Sequence, residues 1–185
     1  MEFAGHRFEY VCQISPETDA HGRPREFMPQ SRYANREGRP FHAYGAGPFC
    51  RFSIPSTWNG SGGVYIFLTD SVPKYVGRCD SLGKRVNQGY GLISPRNCYS
   101  RGQQTNCRIN NLVLETVRRG TIVRLLFHET ERRRELEASL VQTLSPEWNR
   151  QRPGSGGNPI SHLVSSQALP PWCVPPQRWR TGSSV

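Results

Sequence analysis

The sequence predicts an α/β chain of the α+β layer kind, with a small antiparallel three-stranded central sheet flanked by helices and irregular extensions at both ends. Three observations carry that reading. Two short runs with strand alternation, 64–69 and 74–79, are separated by a turn signal over 70–73. Downstream, two segments with apolar residues at helical spacing bracket the most apolar strand, 122–127. Outside this block proline and glycine are dense and periodicity is weak. With 185 residues the chain suits one compact domain plus extensions. The expected organisation is an N-terminal extension over 1–60, a core over 61–150 and a Pro/Gly-rich strap over 151–185.

In the extension, Phe8, Tyr10, Cys12 and Ile14 alternate with Glu9, Val11 and Gln13, which predicts a half-buried strand ended by Pro16. Pro24, Pro29, Pro40, Pro48 and Pro55 then break any helical pattern, while Tyr33, Phe41, Tyr44, Phe49 and Phe52 mark the arm as folded, since disordered segments are poor in aromatics. After the Asn59-Gly60-Ser61-Gly62 turn signal, Val64, Ile66 and Leu68 share one strand face and Tyr65, Phe67 and Thr69 the other. On the returning strand Tyr75 and Gly77 lie opposite Val76. Asp80 or Ser81 is placed to cap a short helix that docks Leu82 and Val86, with Arg85 on its flank. A polar loop over 89–104 leads to a helix with Thr105 as N-cap, apolar Ile109, Leu112, Val113 and Val117, and Gly120 at its stop. A third helix opens near Thr130 and Glu131, carries Leu136, Leu140 and Leu144, and stops at Ser145 because Pro146 disfavours a helical residue before it.

Composition narrows the function classes. The formal net charge of +10, from 24 Lys and Arg against 14 Asp and Glu, favours a polyanionic partner through counterion release. Six cysteines, Cys12, Cys50, Cys79, Cys98, Cys107 and Cys173, form no CxxC pair, so reduced thiols are expected; Cys98 with Cys107 lacks the second close pair that a zinc site needs. The N-terminus shows no apolar segment behind a basic start, and no apolar run approaches the ~20 residues of a membrane span. A cytoplasmic protein without a membrane partner is the expectation.

The two tripeptides Gly63-Val64-Tyr65 and Tyr75-Val76-Gly77, followed by Arg85 and later by Glu137 with Pro146, Trp148 and Asn149, resemble the GIY-YIG nuclease family over about half of the chain. That resemblance implies a GIY-YIG-like core and a divalent-metal-dependent DNA endonuclease of the restriction, free-standing, defence or repair kind. It assigns catalytic roles to Tyr65, Tyr75, Arg85 and Glu137, with Glu137 holding one Mg2+ or Mn2+ ion. Tyr65 matches the tyrosine assigned as acceptor of the water's proton, and Tyr75 its positioning or acid–base partner. Arg85 matches the arginine that holds the phosphate, and Asn149 the asparagine that closes the site. Where many relatives carry a histidine one turn after the arginine, this chain has Gly89, leaving Tyr90, Lys74 or a water to fill that role.

Read physically, these residue types suit phosphodiester hydrolysis, which needs an activated water, charge at the non-bridging oxygens and help for the leaving oxygen. A magnesium ion keeps several waters and takes only one or two protein carboxylates, so a single well-placed Glu137 is enough. A free phenol titrates near ~10, so Tyr65 needs nearby cations, with Lys74 and Arg85 the candidates. Other readings stay open: sheet packing for the tyrosines, an ion pair with Arg133 for Glu137, a structural turn for Asn149. The loop after Arg85 is dense in hydrogen-bonding side chains and leads into a helix N-terminus, making Lys84, Tyr90, Arg96, Asn97, Arg101, Gln103, Gln104, Asn106 and Arg108 the expected DNA contacts. Trp172, Arg178, Trp179 and Arg180 form a further cluster in the strap. Duplex or structured DNA is the expected partner, a homodimer is left open, and the alternative function is a nucleic-acid-binding module that kept the fold and lost catalysis.

Overall fold

Residues 1–149 are those described by the computed structural model, and the strap expected over 151–185, with Trp172, Arg178, Trp179 and Arg180, lies outside them. The elements follow in the order β1 (Glu2–Phe3), β2 (His6–Arg7), β3 (Glu9–Ile14), β4 (Gly63–Thr69), β5 (Val72–Cys79), α1 (Gln104–Arg118), β6 (Val123–Glu129) and α2 (Arg133–Leu144), with a π-helical segment, Lys84–Tyr90, between β5 and α1. The fold is mixed α and β, with a two-stranded ribbon β1-β2 and a four-stranded antiparallel sheet in the order β3-β6-β4-β5. A three-stranded central sheet was expected. The fourth strand is β3, assigned from sequence to the extension, which instead pairs along β6 from Glu9–Phe127 to Ile14–Val123.

β3 also corrects the expected facing. A register shift between Tyr10 and Cys12 breaks the alternation, so Phe8, Val11 and Ile14 are buried while Tyr10 is exposed. One extra residue in a strand turns every following side chain to the other face. The β4-β5 hairpin closes through Asp70 and Ser71, whose φ of 48° and 65° match the doubly left-handed turn that suits strand twist.

β4 is buried along its whole length because both sheet faces are covered. Val64, Ile66 and Leu68 pack with Val76, Leu126 and the α2 residues Leu136 and Leu140. On the opposite face Tyr65 and Phe67 pack with Tyr75, Leu82, Val86, Tyr90 and the α1 residues Ile109 and Val113. The arm is folded as expected: Phe49, Cys98, Tyr99 and Cys107 make a third cluster, bordered by Tyr33 and Tyr44. β5 is left as an edge strand, and the candidate site is built around that edge.

The helix limits differ modestly from expectation. α1 starts at Gln104 with no side-chain cap from Gln103, and α2 starts at Arg133 rather than near Thr130. α2 ends as foreseen, with Ser145 in a left-handed conformation, φ 44°, before Pro146. Among the described residues no helix is long and apolar enough to cross a membrane.

Candidate functional site

β5 carries its side chains alternately to the two faces of the sheet, and two motif residues meet where it passes β4. Tyr65 pairs with Gly77 across the hairpin, and a Cβ at Gly77 would stand 2.4 Å from the Tyr65 hydroxyl. Only glycine leaves room for that phenol to cross the strand. The Tyr65 hydroxyl hydrogen-bonds Tyr90 Oη at 2.8 Å, and Tyr90 Oη donates to Tyr75 Oη at 3.3 Å, linking three phenols in one buried chain.

Arg85 lies over this chain. Its Nε donates to the Tyr65 hydroxyl at 3.2 Å, its guanidinium sits 4.5 Å from the Tyr90 ring centroid, and its Nη1 donates to Asn106 Oδ1 at 3.3 Å. Asn106 in turn donates to Gln103 Oε1 at 2.7 Å, which ties Arg85 to the start of α1. Burial pushes the Tyr65 phenol well above its ordinary pKa, helped by the adjacent Tyr75 and opposed by Arg85. Burial likewise raises Tyr90. Burial works against the Arg85 charge, but the Tyr65 and Tyr90 oxygens outweigh it and hold the guanidinium firmly protonated. At neutral pH the Tyr65 and Tyr90 phenols are therefore neutral beneath one cation.

Glu137 approaches from the α2 side of the sheet. Its Oε2 accepts a hydrogen bond from Arg78 Nε at 2.6 Å. Beside it Arg133 Nη1 donates to Asp80 Oδ1 at 2.5 Å and to the Cys79 carbonyl at 3.2 Å. Two cavities meet around the β5 edge. The larger, about 1020 Å³, is lined among others by Asn59, Lys84, Arg85, Gln88, Gln103 and Asn106. The smaller, about 250 Å³, is lined by Arg78, Cys79, Asp80, Arg85, Arg133 and Glu137. Arg78, Cys79, Asp80 and Arg85 border both, so Arg85 and Glu137 share a space although they come from opposite faces.

Tyr65, Tyr75 and Arg85 are thus brought together, and Glu137 joins them through Arg85 rather than by touching the phenols. The Glu137 pair is with Arg78, not with the Arg133 weighed from sequence; Arg133 bonds Asp80 instead. Lys74 does not serve Tyr65: it is the bulged residue of β5, skipped between the Phe67–Tyr75 and Leu68–Pro73 pairs, and its ammonium pairs with Glu147 at 2.7 Å. Asn149 bonds both Val76 N and Val76 O at 2.8 Å, and Trp148 N bonds Lys74 O, so the turn after α2 satisfies the open edge of β5.

Of the expected DNA contacts, Lys84, Arg96, Arg101, Gln103 and Gln104 are exposed, and Asn97 is half-buried with its Oδ1 accepting from Gln103 N. Tyr90 is not among them: it is fully buried, because the π-helical segment turns it inward onto Tyr65 and Tyr75. Asn106 is 2% exposed and spends its amide on Arg85 and Gln103. Arg108 is half-buried and donates to the Trp148 carbonyl. Sequence reasoning passed over Arg78, although alternation from Val76 places it toward α2 and Glu137.

Among the described residues no group of three or more His, Cys, Asp or Glu is arranged to hold a metal ion, and Cys98 and Cys107 gain no further ligand. Glu137, its side chain 28% exposed beside the smaller cavity, meets the one-carboxylate minimum of a magnesium site. The cations Arg78, Arg85 and Arg133 around it favour binding of an ion together with an anionic phosphate rather than of an ion alone. Compared with protein-family models, curated proteins and solved structures, the chain gives no significant match.

Proposed function

We propose that this protein is a divalent-metal-dependent nuclease that hydrolyses phosphodiester bonds in DNA, with the GIY-YIG-like site expected from its motifs. The observation that carries the reading is the position of Arg85, which rests on the buried phenols and borders both the amide-lined cleft and the cavity of Glu137. A phosphate bound by its guanidinium lies next to that carboxylate. Glu137 holds the ion, with Asp80 on the same cavity wall. A bound magnesium ion supplies Lewis-acid charge to the phosphoryl and leaving oxygens.

Arg85 carries the charge on the non-bridging oxygens, and Asn106 with Gln103 sets the plane of its fork. In the resting conformation Arg85 covers Tyr65, whose raised pKa makes it a poor base. Once the guanidinium has turned to the phosphate, the neutral Tyr65 hydroxyl orients the attacking water by hydrogen bonding while the water's proton passes to solvent, and Tyr90 links Tyr65 to Tyr75. Tyr90 thereby fills the place that Gly89 leaves empty.

The test is cleavage of a panel of duplex, nicked, flap and single-stranded DNA with magnesium or manganese. Cutting by the parental protein is expected to fall by at least about a hundredfold in Glu137→Ala, with DNA binding no weaker. Cleavage at the parental rate by that variant would remove Glu137 from the mechanism.

The Arg78–Glu137 contact and the covered Tyr65 also favour a second reading, a nucleic-acid-binding module without catalysis. Binding to the panel with no cutting, and no manganese uptake in the presence of DNA, distinguishes it.

A further inference from the structure

Arg78 has no part in the chemistry just described, yet it holds the oxygen on which that chemistry depends. It follows Gly77 on the edge strand, its side chain is 50% exposed, and Glu137 is its partner among the described residues. The bond uses one N–H of the five that a guanidinium offers. Arg78 also lines both of the cavities that Arg85 borders. Exposed ion pairs of this kind contribute little to stability and are readily exchanged for a better anion. A nucleic-acid phosphate, which a guanidinium grips through two parallel N–H groups, is such an anion.

We infer that Arg78 is a second phosphate-binding residue, stored on the Glu137 carboxylate until DNA draws it away and leaves that carboxylate free. This rests on the reading of the cleft as a nucleic-acid site. It accounts for a carboxylate that is occupied by a cation of the protein before any substrate arrives. It also makes DNA binding and exposure of Glu137 mutually dependent, because coupling between two equilibria is reciprocal. A fixed structural pair would show no such dependence.

The test needs neither metal nor cleavage. Binding of a labelled duplex to the full chain is measured by fluorescence anisotropy in EDTA at low salt, for the parental protein, Glu137→Gln, Arg78→Gln and the double variant. Glu137→Gln releases Arg78 and is expected to tighten binding by about threefold to fivefold, the span of an exposed ion pair. In the Arg78→Gln background the same change should alter affinity by less than about 1.5-fold, since nothing is left to release. Arg78→Lys, which keeps the charge, should recover part of the gain, and matching far-ultraviolet spectra exclude misfolding.

An equal gain in both backgrounds would mean that only the loss of one negative charge is felt, and would overturn the inference. No gain in either overturns it too. If metal-dependent cutting persists while the cycle is flat, the inference fails and the nuclease reading stands. If no variant binds DNA, both fall.

Discussion

Tyr65 is the residue on which chemistry and stability pull in different directions. Its hydroxyl is buried, and its pKa and that of Tyr90 are both raised, in each case chiefly by burial. The unfolded chain ionises these phenols near pH ~10, so above that value it releases protons that the folded chain still holds. The stabilising contribution is intact below pH ~10 and is lost as the pH climbs toward the folded-state values. Two phenols should therefore resist ionisation until the chain unfolds in alkali. Following phenolate absorbance and circular dichroism together checks this, and complete ionisation with the fold intact would contradict it. From sequence, Tyr65 and Tyr75 were legible as candidates because their spacing in the hairpin is local. Their enclosure was not, because it depends on Tyr90 and Arg85 arriving from another element.

At the scale of elements, the hairpin and the π-helical segment decide the geometry. Tyr90 follows Arg85 by five positions, about one turn of a π-helix, so both side chains lie on the same side. Reading 89–104 as a loop after a short helix put Gly89 one turn after Arg85 and counted Tyr90 among the DNA contacts. The widened turn is visible in the bond from Gly91 N to Val86 O at 2.7 Å. In the hairpin, Gly77 is the critical position. Gly77→Ala places a methyl against the Tyr65 hydroxyl and should cost roughly 1–3 kcal/mol, the usual penalty for overpacking. Urea unfolding at unchanged slope measures it. Because Arg85 rests on that hydroxyl, the variant should also lose DNA affinity, and a neutral outcome in both measurements would show that the contact is not needed.

For the molecule as a whole, charge is the dominant property. The net +10 is spread along the chain, but Arg78, Lys84, Arg85 and Arg133 gather around the two cavities at the β5 edge. If about four phosphates are neutralised there, affinity for duplex DNA should fall roughly a hundredfold between about 50 and 200 mM salt. A titration of affinity against salt gives the slope directly. A slope near zero would argue that the positive charge serves solubility alone.

Local periodicity was enough to recover most elements from the sequence. Both hairpin strands, the apolar strand β6, the two α-helices and the left-handed stop at Ser145 follow from spacings of two or of three to four residues and from Pro146. Tyr65, Tyr75, Arg85 and Glu137 were singled out by the resemblance of their motifs to the GIY-YIG pattern, not by periodicity. Tertiary structure alone decided that β3 completes a four-stranded sheet, that Tyr90 and Asn106 support Arg85 from within, and that Arg78 rather than Arg133 holds Glu137. A pattern along the chain sets which face a side chain takes. Which distant element then covers that face depends on the packing of segments far apart in sequence, here on both sides of a single edge strand.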